Sequence, residues 1–318
     1  MNKTIESAPL HSRLTIRAPA KINLNLHIAG KRPDGYHELS GLVAFADYGD
    51  ELEVELASFE ADEGRASDKE DAGGRSDWAL DVQGPFADAL IGEGPPCRDN
   101  LVLNAARLFN TYSGLNYRGS IRLRKNLPIA SGMGGGSSDA AAMLRALQSL
   151  CATPIDEDQL QKLALEIGAD VPMCLRPKAQ FISGVGEIYH FLPLPAPLPA
   201  VLVNPILAVS TREVFGRLNA SPCSSASVQV PTFSSIKELY QWLLQQRNDL
   251  QSPALELVPR IGDVLDIIAK TPNCLLARMS GSGASCFGLY ADIEQAKRAA
   301  SIIGEANPNW WVMPCLLE

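Results

Sequence analysis

The feature that most constrains this chain is a glycine-rich segment at residues 128–138, which runs directly into a sequence typical of a helix at 139–150. The segment holds four glycines and three serines. Glycine permits positive φ angles and a close approach of backbone to a ligand, and the first turn of a helix offers free N–H groups with a partial positive charge. The pattern therefore predicts a loop that cradles phosphate at a helix N-terminus.

This loop differs from the two commonest phosphate-binding loops. It lacks the Gly-Lys-Ser/Thr ending of a P-loop and the Gly-x-Gly-x-x-Gly spacing of a dinucleotide fold. Ser137 and Ser138 carry hydroxyls that could bond phosphate or a Mg²⁺ ion, and the alternative is a tight strand-to-helix turn with a serine cap. Three consecutive glycines favour phosphate binding over a plain turn. A second glycine-rich turn, Gly281-Ser-Gly283, is either a hairpin turn or a partner that closes over the phosphates.

Length and charge limit the classes of protein and partner. A chain of 318 residues predicts two domains or one large one, and a net charge of −8 argues against nucleic acid as the partner. Seven cysteines without a C-x-x-C pair indicate reduced thiols, and no apolar run approaches the ~20 residues that span a bilayer. We expect a cytoplasmic protein, a monomer or weak homodimer, with no nucleic-acid or membrane partner.

The order of strand and helix patterns predicts an α+β fold, because strands and helices mix without regular βαβ alternation. Residues 14–28 have the pattern of a half-buried strand, and strict alternation from residue 22 places Lys21, Asn23, Asn25 and His27 on its polar working face. The charged stretch 57–77 predicts a mobile insertion within a hairpin. A proline-rich segment at 193–199 is a candidate link between the two halves of the chain.

Two charged residues are candidates for catalysis. Lys21, on the polar face of the first strand, could stabilise negative charge on a transferring phosphate, and the alternative is a solvated lysine at a sheet edge. Asp170, in Gly168-Ala-Asp-Val-Pro172, could accept a proton from an attacking hydroxyl, and the alternative is a helix cap. A lysine and an aspartate a few ångströms apart would each keep its charge.

A smaller set of residues is suited to an acceptor substrate. Tyr36 and His37 follow an Asp-Gly turn. Ser210-Thr-Arg-Glu213 fits a capping box, which places Thr211 and Phe215 one helical turn apart on one face. Phe215 is therefore either a core residue or an aromatic wall for a ligand base.

Six motifs, in order from residue 18 to residue 284, together resemble the GHMP kinase superfamily. The motifs are Ala18-Pro-Ala-Lys-Ile-Asn-Leu24, Arg32-Pro-Asp-Gly-Tyr-His-Glu-Leu39, Gly134-Gly-Gly-Ser-Ser-Asp-Ala-Ala141, Gly168-Ala-Asp-Val-Pro172, Gly184-Val-Gly-Glu187 and Ser280-Gly-Ser-Gly-Ala284. The Tyr-His step after Asp-Gly resembles the branch of that superfamily whose acceptor carries a cytidine diphosphate.

The resemblance implies a fold and an activity. It implies a two-domain GHMP-kinase fold, with an N-terminal ATP-binding α/β domain (ribosomal protein S5-like) at 1–178 and a C-terminal ferredoxin-like α+β domain at 179–318. The active site would lie in the cleft between them. It also implies an ATP-dependent kinase of the non-mevalonate isoprenoid pathway that phosphorylates a hydroxyl of a small cytidine diphosphate substrate. ATP and Mg²⁺ are the expected cofactors, and the sequence identifies no ligand for the metal.

The resemblance also implies roles for single residues. Lys21 and Asp170 would be the catalytic pair. Tyr36 and Phe215 would sandwich the cytosine, a stacking contact worth about 1–3 kcal/mol per base, while His37 reads its edge. The implied substrate contacts are Asn23, Tyr36, His37, Thr211 and Phe215. The implied ATP loop is Pro128, Ile129, Ala130, Ser131, Gly132, Met133, Gly134, Gly135, Gly136, Ser137 and Ser138.

One departure from the family pattern and two alternatives remain. The common loop form Gly-Ala-Gly-Leu-Gly-Gly-Gly is here Ala130-Ser-Gly-Met-Gly-Gly-Gly136, so an alanine replaces the first glycine. A phosphomevalonate kinase, a homoserine kinase or a diphosphomevalonate decarboxylase of the same superfamily should not need the acceptor-side aromatic residues. A catalytically inactive ligand sensor on the same fold should not need both members of the catalytic pair.

Overall fold

The computed structural model describes residues 12–61, 77–92, 100–151, 154–218 and 230–318. Its strands are β1 (Ser12–Asn23), β2 (His27–Lys31), β3 (His37–Ala61), β4 (Trp78–Gln83), β5 (Leu115–Arg124), β6 (Gln180–Gly184), β7 (Ile188–Phe191), β8 (Leu198–Asn204), β9 (Leu276–Met279), β10 (Cys286–Leu289) and β11 (Trp311–Leu317). Its helices are α1 (Ala87–Ile91), α2 (Leu101–Ser113), α3 (Gly135–Leu150), α4 (Glu157–Ile167), α5 (Val171–Cys174), α6 (Thr211–Gly216), α7 (Ile236–Leu244), α8 (Gln251–Leu257), α9 (Arg260–Lys270) and α10 (Ile293–Ala306). The α+β prediction is confirmed.

The chain packs as two compact units, each built from separate segments. The first comprises Met1–Ala18, Asp50–Asn126 and Gly136–Leu175, within the described ranges. Here β5 lies between β3, to which it is antiparallel, and β4, to which it is parallel. Helices α2 and α4 pack together. Each begins with a side-chain cap, since Asn100 accepts from the Val102 N–H and Asp156 accepts from the Gln159 N–H.

The second unit comprises Pro19–Gly49, Leu127–Gly135 and Arg176–Glu318, within the described ranges. Its central strand β8 is antiparallel to β11 on one side and to β10 on the other, and β9 pairs with β10. Alternate residues of β8 serve two cores, because Ala200 and Leu202 join one cluster while Val201 and Val203 join the other. Helices α9 and α10 pack against this sheet. In the same unit, β6 pairs with β3 and with the short strand β7.

The first predicted strand differs from expectation in two ways. Strand β1 ends at Asn23, and the chain bends before it resumes as β2. The pattern predicted a half-buried strand with its polar residues on the working face, yet Lys21, Asn23 and Asn25 are all buried. The Asn25 side-chain oxygen accepts a hydrogen bond from the Leu42 N–H at 2.8 Å. Non-local contacts of this kind replace water around the polar side chains, and alternation within one strand cannot reveal them.

Two other boundaries also differ. The insertion predicted at 57–77 begins too early, because β3 continues to Ala61 through antiparallel pairing with β5; residues 62–76 lie outside the described ranges. The two flanking strands form no hairpin with each other, since β5 separates β3 from β4. Helix α3 begins at Gly135, four positions before the predicted start at Asp139, so the last two glycines of the loop are helical.

The division into domains at residue 178 stays a prediction. The two compact units are each built from three segments that alternate along the sequence, so they do not correspond to a single cut in the chain. The described cysteines form no disulfide with one another. Among the described helices none is long and apolar enough to cross a membrane.

Candidate functional site

Lys21 and residues 128–135 of the glycine loop lie together in the second unit. The Lys21 N–H donates to the Met133 carbonyl at 2.8 Å, and the Met133 side chain is fully buried in the core. A Cβ on Gly134 would lie 3.2 Å from both Cβ and Cε of Lys21. The lysine stem therefore runs along Gly134 and fills the space that any larger residue would occupy. Lys21 is 6% exposed, which rules out the solvated edge lysine.

The two glycine-rich turns also pack against each other within this unit. A Cβ on Gly132 would lie 2.7 Å from the carbonyl oxygens of both Ser280 and Gly283. The Ser280 hydroxyl donates to the Gly132 carbonyl at 3.1 Å, and the Ser285 N–H donates to the Ser131 carbonyl at 3.1 Å. Backbone meets backbone across this contact, which explains why glycine is needed at residue 132. The predicted pairing of the two turns is thus present.

Asn23 and Thr211 flank the second glycine turn. The Asn23 N–H donates to Ser280 Oγ at 3.1 Å, and its side-chain oxygen lies 3.5 Å from the position of a Cβ on Gly281. The Thr211 hydroxyl shares a hydrogen bond of 2.8 Å with Ser282 Oγ. The sequence reading gave roles only to the glycines of this turn. Ser280 connects Asn23 to this turn, and Ser282 connects Thr211 to it.

The aromatic residues predicted to bind a base lie on the same unit. The rings of His37 and Phe215 contact each other with centroids 5.1 Å apart, and Phe215 is only partly buried. The capping box is confirmed in part, because Ser210 accepts from the Glu213 N–H. Tyr36 follows a turn in which its N–H donates to Asp34 Oδ1 at 3.1 Å, and its side chain is 64% exposed.

The charge state of His37 suits recognition of a neutral base. Burial lowers the pKa of its imidazole from 6.5, and the nearby ammonium of Lys31 lowers that pKa further. The ring is therefore neutral at neutral pH, with one nitrogen that donates a hydrogen bond and one that accepts.

The start of helix α3 fits an anionic ligand. The N–H groups of its first residues have no acceptor within the helix, and Gly136 is exposed while Gly135 and Ser137 are partly exposed. The Ser138 hydroxyl is buried and has no hydrogen-bond partner among the described residues. An unmade hydrogen bond of this kind costs about 1–3 kcal/mol. The phosphates of ATP would supply acceptors and negative charge at this helix end.

Asp170 belongs to the first unit, where it precedes the short helix α5. Its side chain is partly buried and makes no capping hydrogen bond to the helix backbone. The alternative that the Asp170 side chain caps helix α5 is therefore wrong. The pairing of Asp170 with Lys21 remains a prediction.

Ala130, the departure from the family loop, has a φ of 50°, in the left-handed region. The left-handed conformation costs an alanine about 1–2 kcal/mol in the folded state. A glycine avoids that strain but destabilises the folded state by about 0.4–1 kcal/mol, because its unfolded chain has more conformational entropy to lose. We expect Ala130→Gly to raise the free energy of unfolding by about 0.5–1 kcal/mol in a urea titration. Ala291→Gly, at an exposed position without a positive φ, is the matched control and should lose stability. A destabilised Ala130→Gly protein would show that this loop conformation is wrong.

A buried ionic cluster next to the loop had no place in the sequence reading. Lys125, Asp50 and Asp139 are all buried, and the Lys125 ammonium donates to a side-chain oxygen of each aspartate. The positions of Lys125 and Asp139 at the two ends of the glycine loop were a usable signal. Asp50 lies on β3, far from the loop in sequence, and no signal in the sequence pointed to it.

Comparison with known proteins places the chain in a family. The family model of the GHMP kinases N terminal domain matches residues 100–178, and that of the GHMP kinases C terminal matches residues 226–309. A 4-diphosphocytidyl-2-C-methyl-D-erythritol kinase of Paramagnetospirillum magneticum is 43% identical, over 95% of this chain and 98% of the relative. A kinase of the same name from Parvibaculum lavamentivorans is 46% identical, over 94% of this chain and 96% of its own.

A solved structure agrees with these relatives. The crystal structure of a 4-(cytidine 5'-diphospho)-2C-methyl-D-erythritol kinase superposes with a TM-score of 0.68 at 30% identity, and covers 96% of this chain and 99% of its own. The chain belongs to the GHMP kinases and, within them, to the family of 4-diphosphocytidyl-2-C-methyl-D-erythritol kinases.

Proposed function

We propose that the protein transfers the γ-phosphoryl group of ATP to the 2-hydroxyl of 4-diphosphocytidyl-2-C-methyl-D-erythritol, which yields the 2-phosphate and ADP in the non-mevalonate route to isoprenoid precursors. The acceptor follows from the names of relatives that match nearly the whole chain. The observation that carries the chemistry is the stem of Lys21 lying along Gly134 of the glycine loop. That contact supports a buried cation beside a loop built for phosphate.

On the nucleotide side, residues 128–138 would hold the phosphates of ATP. The N–H groups at the start of α3 point their partial positive charge toward an anion. The packing of Gly132 against the second glycine turn would hold the loop in one conformation. Fixed donors of this kind cost no reorganisation when charge develops during the reaction.

On the acceptor side, five residues would bind the cytidyl substrate. Tyr36 is exposed and free to stack on one face of the cytosine, and Phe215 would form the opposite wall with His37 at the base edge. Asn23 and Thr211, tied to the second glycine turn, would contact the rest of the substrate. A neutral His37 can both donate to the cytosine edge and accept from it.

The chemical step needs one base and one cation from the protein. The 2-hydroxyl oxygen attacks the γ-phosphorus. The bond between this phosphorus and the β–γ bridging oxygen breaks, and ADP leaves. Asp170 accepts the hydroxyl proton. Lys21 stabilises the negative charge that spreads over the transferring group. Positioning and charge stabilisation account for most of the catalysis in phosphoryl transfer.

We also infer that Mg²⁺ enters with the nucleotide. Groups of three or more His, Cys, Asp or Glu side chains suited to a metal ion do not occur among the described residues, and Mg²⁺ is commonly held by substrate phosphates with few protein ligands. Bound there, it would neutralise phosphate charge. Chelation by EDTA should abolish turnover and added Mg²⁺ should restore it. We expect the reaction to occur in the cytoplasm, because a reducing compartment keeps the protein's cysteines as thiols.

The proposal is tested by ADP release with alternative acceptors. We expect turnover with 4-diphosphocytidyl-2-C-methyl-D-erythritol and at most trace turnover with phosphomevalonate or homoserine. Preference for either of those would reassign the protein to another GHMP kinase activity. Tight binding of ATP without turnover of any acceptor would favour an inactive sensor.

Removal of the exposed aromatic wall tests the acceptor side. We expect Tyr36→Ala to raise KM for the cytidyl substrate about tenfold, because one stacking face is lost, with KM for ATP within about twofold of wild type. Phe191→Ala removes another exposed aromatic ring, on strand β7, and should leave both constants unchanged. A larger effect of Tyr36→Ala on ATP than on the cytidyl substrate would place Tyr36 at the nucleotide instead.

A further inference from the structure

Three buried ionisable side chains form a cluster that the chemical step does not use. Lys125, Asp50 and Asp139 are 2%, 0% and 3% exposed. The Lys125 ammonium donates to Asp139 Oδ2 at 2.6 Å and also to Asp50 Oδ2. A buried ion pair is weak evidence for stability on its own, because desolvation offsets most of the attraction. The cluster therefore calls for another explanation, and its position supplies one.

The cluster joins the two ends of the glycine loop to one strand. Lys125 directly follows β5, on the N-terminal side of the loop, and Asp139 lies in the early part of α3, on its C-terminal side. Asp50 belongs to β3. Asp50 also accepts from the Asn126 N–H through Oδ1 at 2.6 Å, so it also holds the backbone two positions before the glycine loop begins. Lys125, Asp50 and Asp139 are called the loop anchor below.

The loop between these ends has an unusual backbone. Ala130, Gly132 and Gly134 all have positive φ angles, of 50°, 75° and 64°. Of these three, Ala130 carries a side chain, and such a residue keeps a left-handed conformation where the surrounding structure fixes it. Ends that are held at a fixed separation restrict the conformations open to the segment between them.

We propose that Lys125 is a positioning residue, which acts through Asp50 and Asp139 to hold both ends of the glycine loop in the conformation that binds ATP. The inference rests on the proposed function in one respect, that the ligand of this loop is ATP. The anchor touches neither substrate in this account. It sets the separation and direction of the loop ends, and so the orientation of the N–H groups at the start of α3.

The charges of the anchor make its strength depend on pH. The pKa of Asp139 is raised to about 8, chiefly by burial; the Lys125 ammonium opposes this rise in pKa and the Asp50 carboxylate adds to it. The carboxylates outweigh burial at Lys125 and raise its pKa, so the ammonium stays charged. Among the described residues, the charged groups that face Asp139 are thus one cation after β5 and one acid on β3. As pH rises through about 8, Asp139 ionises, and two buried carboxylates then share the single ammonium of Lys125.

Two variants and one control test the proposal through ADP binding, measured by calorimetric titration at fixed ionic strength. Asp139→Asn keeps a carbonyl oxygen for Lys125 and cannot ionise. Lys125→Met removes the cation while it keeps most of the stem volume. Lys297→Met removes an exposed lysine whose partner is Glu294 on α10, and is the matched control. Because ADP binding needs no acceptor, a wrong acceptor assignment leaves this test intact.

We expect the wild-type Kd for ADP to rise about fivefold between pH 7 and pH 9.5, with a flat profile for Asp139→Asn and a wild-type profile for Lys297→Met.

Lys125→Met should raise the Kd for ADP about tenfold at pH 7, with the Kd for the cytidyl substrate within about twofold of wild type. Equal losses for both ligands would show a merely structural role and overturn the proposal. So would wild-type ADP binding by folded Lys125→Met. If Lys125→Met does not fold, identical pH profiles for wild type and Asp139→Asn would overturn it.

Discussion

Asp170→Asn is expected to lower kcat about a thousandfold and to leave the Kd for ATP within about twofold of wild type. Asparagine matches aspartate in size but cannot accept the proton of the acceptor hydroxyl. Asp170 is partly buried and its side chain does not cap helix α5, so the substitution removes no helix cap. Single-turnover measurements with saturating substrates would isolate the chemical step from product release.

Asp156→Asn is the matched control for this substitution. Asp156 also precedes a helix of the same unit, but its side chain does cap that helix by accepting from the Gln159 N–H. Asparagine is as good a cap as aspartate, so turnover and stability should both stay close to wild type. A kcat for Asp170→Asn within about tenfold of wild type would remove Asp170 from the role of base.

The second large effect is expected from Gly132→Ala. A Cβ at this position would lie 2.7 Å from two carbonyl oxygens, and both belong to backbone that cannot rotate away. The φ of 75° adds a strain of about 1–3 kcal/mol for a residue with a side chain. We expect the two glycine turns to separate, with kcat/KM for ATP about a hundredfold lower and a lower thermal midpoint. Steady-state kinetics and calorimetry measure the two effects.

Gly304→Ala provides the comparison. Gly304 lies within α10, and a Cβ there meets nothing within 4 Å. Alanine should therefore stabilise the protein by about 0.5–1 kcal/mol, as in other helix interiors, with unchanged kinetics. If Gly132→Ala bound ATP like wild type, the close contact between residue 132 and the turn at 280–283 would not exist in solution.

The local features of the site could be predicted from sequence. The glycine loop, the turn before Tyr36 and the cap of α6 by Ser210 each depend on a few neighbouring residues with strong backbone preferences. Helix α3 shows where such reasoning fails. The prediction started it at Asp139, because glycine is a poor helix former, yet the structure begins it at Gly135. Intrinsic helix propensity is a weak guide to where a helix begins.

The features that could not be predicted all depend on contacts between distant segments. The alternating pattern predicted a polar working face, but Asn25, in the bend after β1, is buried and accepts a hydrogen bond from the Leu42 N–H. Strand β3 continues to Ala61 because β5 pairs with it along that length. The loop anchor needs Asp50, which no spacing connects to the loop. A single sequence carries local preferences but does not state which distant residues will meet.

The most direct test of the central claim is the phosphorus NMR spectrum of the product formed from ATP and 4-diphosphocytidyl-2-C-methyl-D-erythritol. Carbon 2 of this acceptor bears a methyl group and no hydrogen. Phosphorylation of the 2-hydroxyl therefore predicts a new monoester resonance without three-bond coupling to a proton, together with ADP in equal amount. A monoester signal split by protons on the ester carbon would place the phosphate on another hydroxyl. That result, or ADP without any new monoester, would contradict the account.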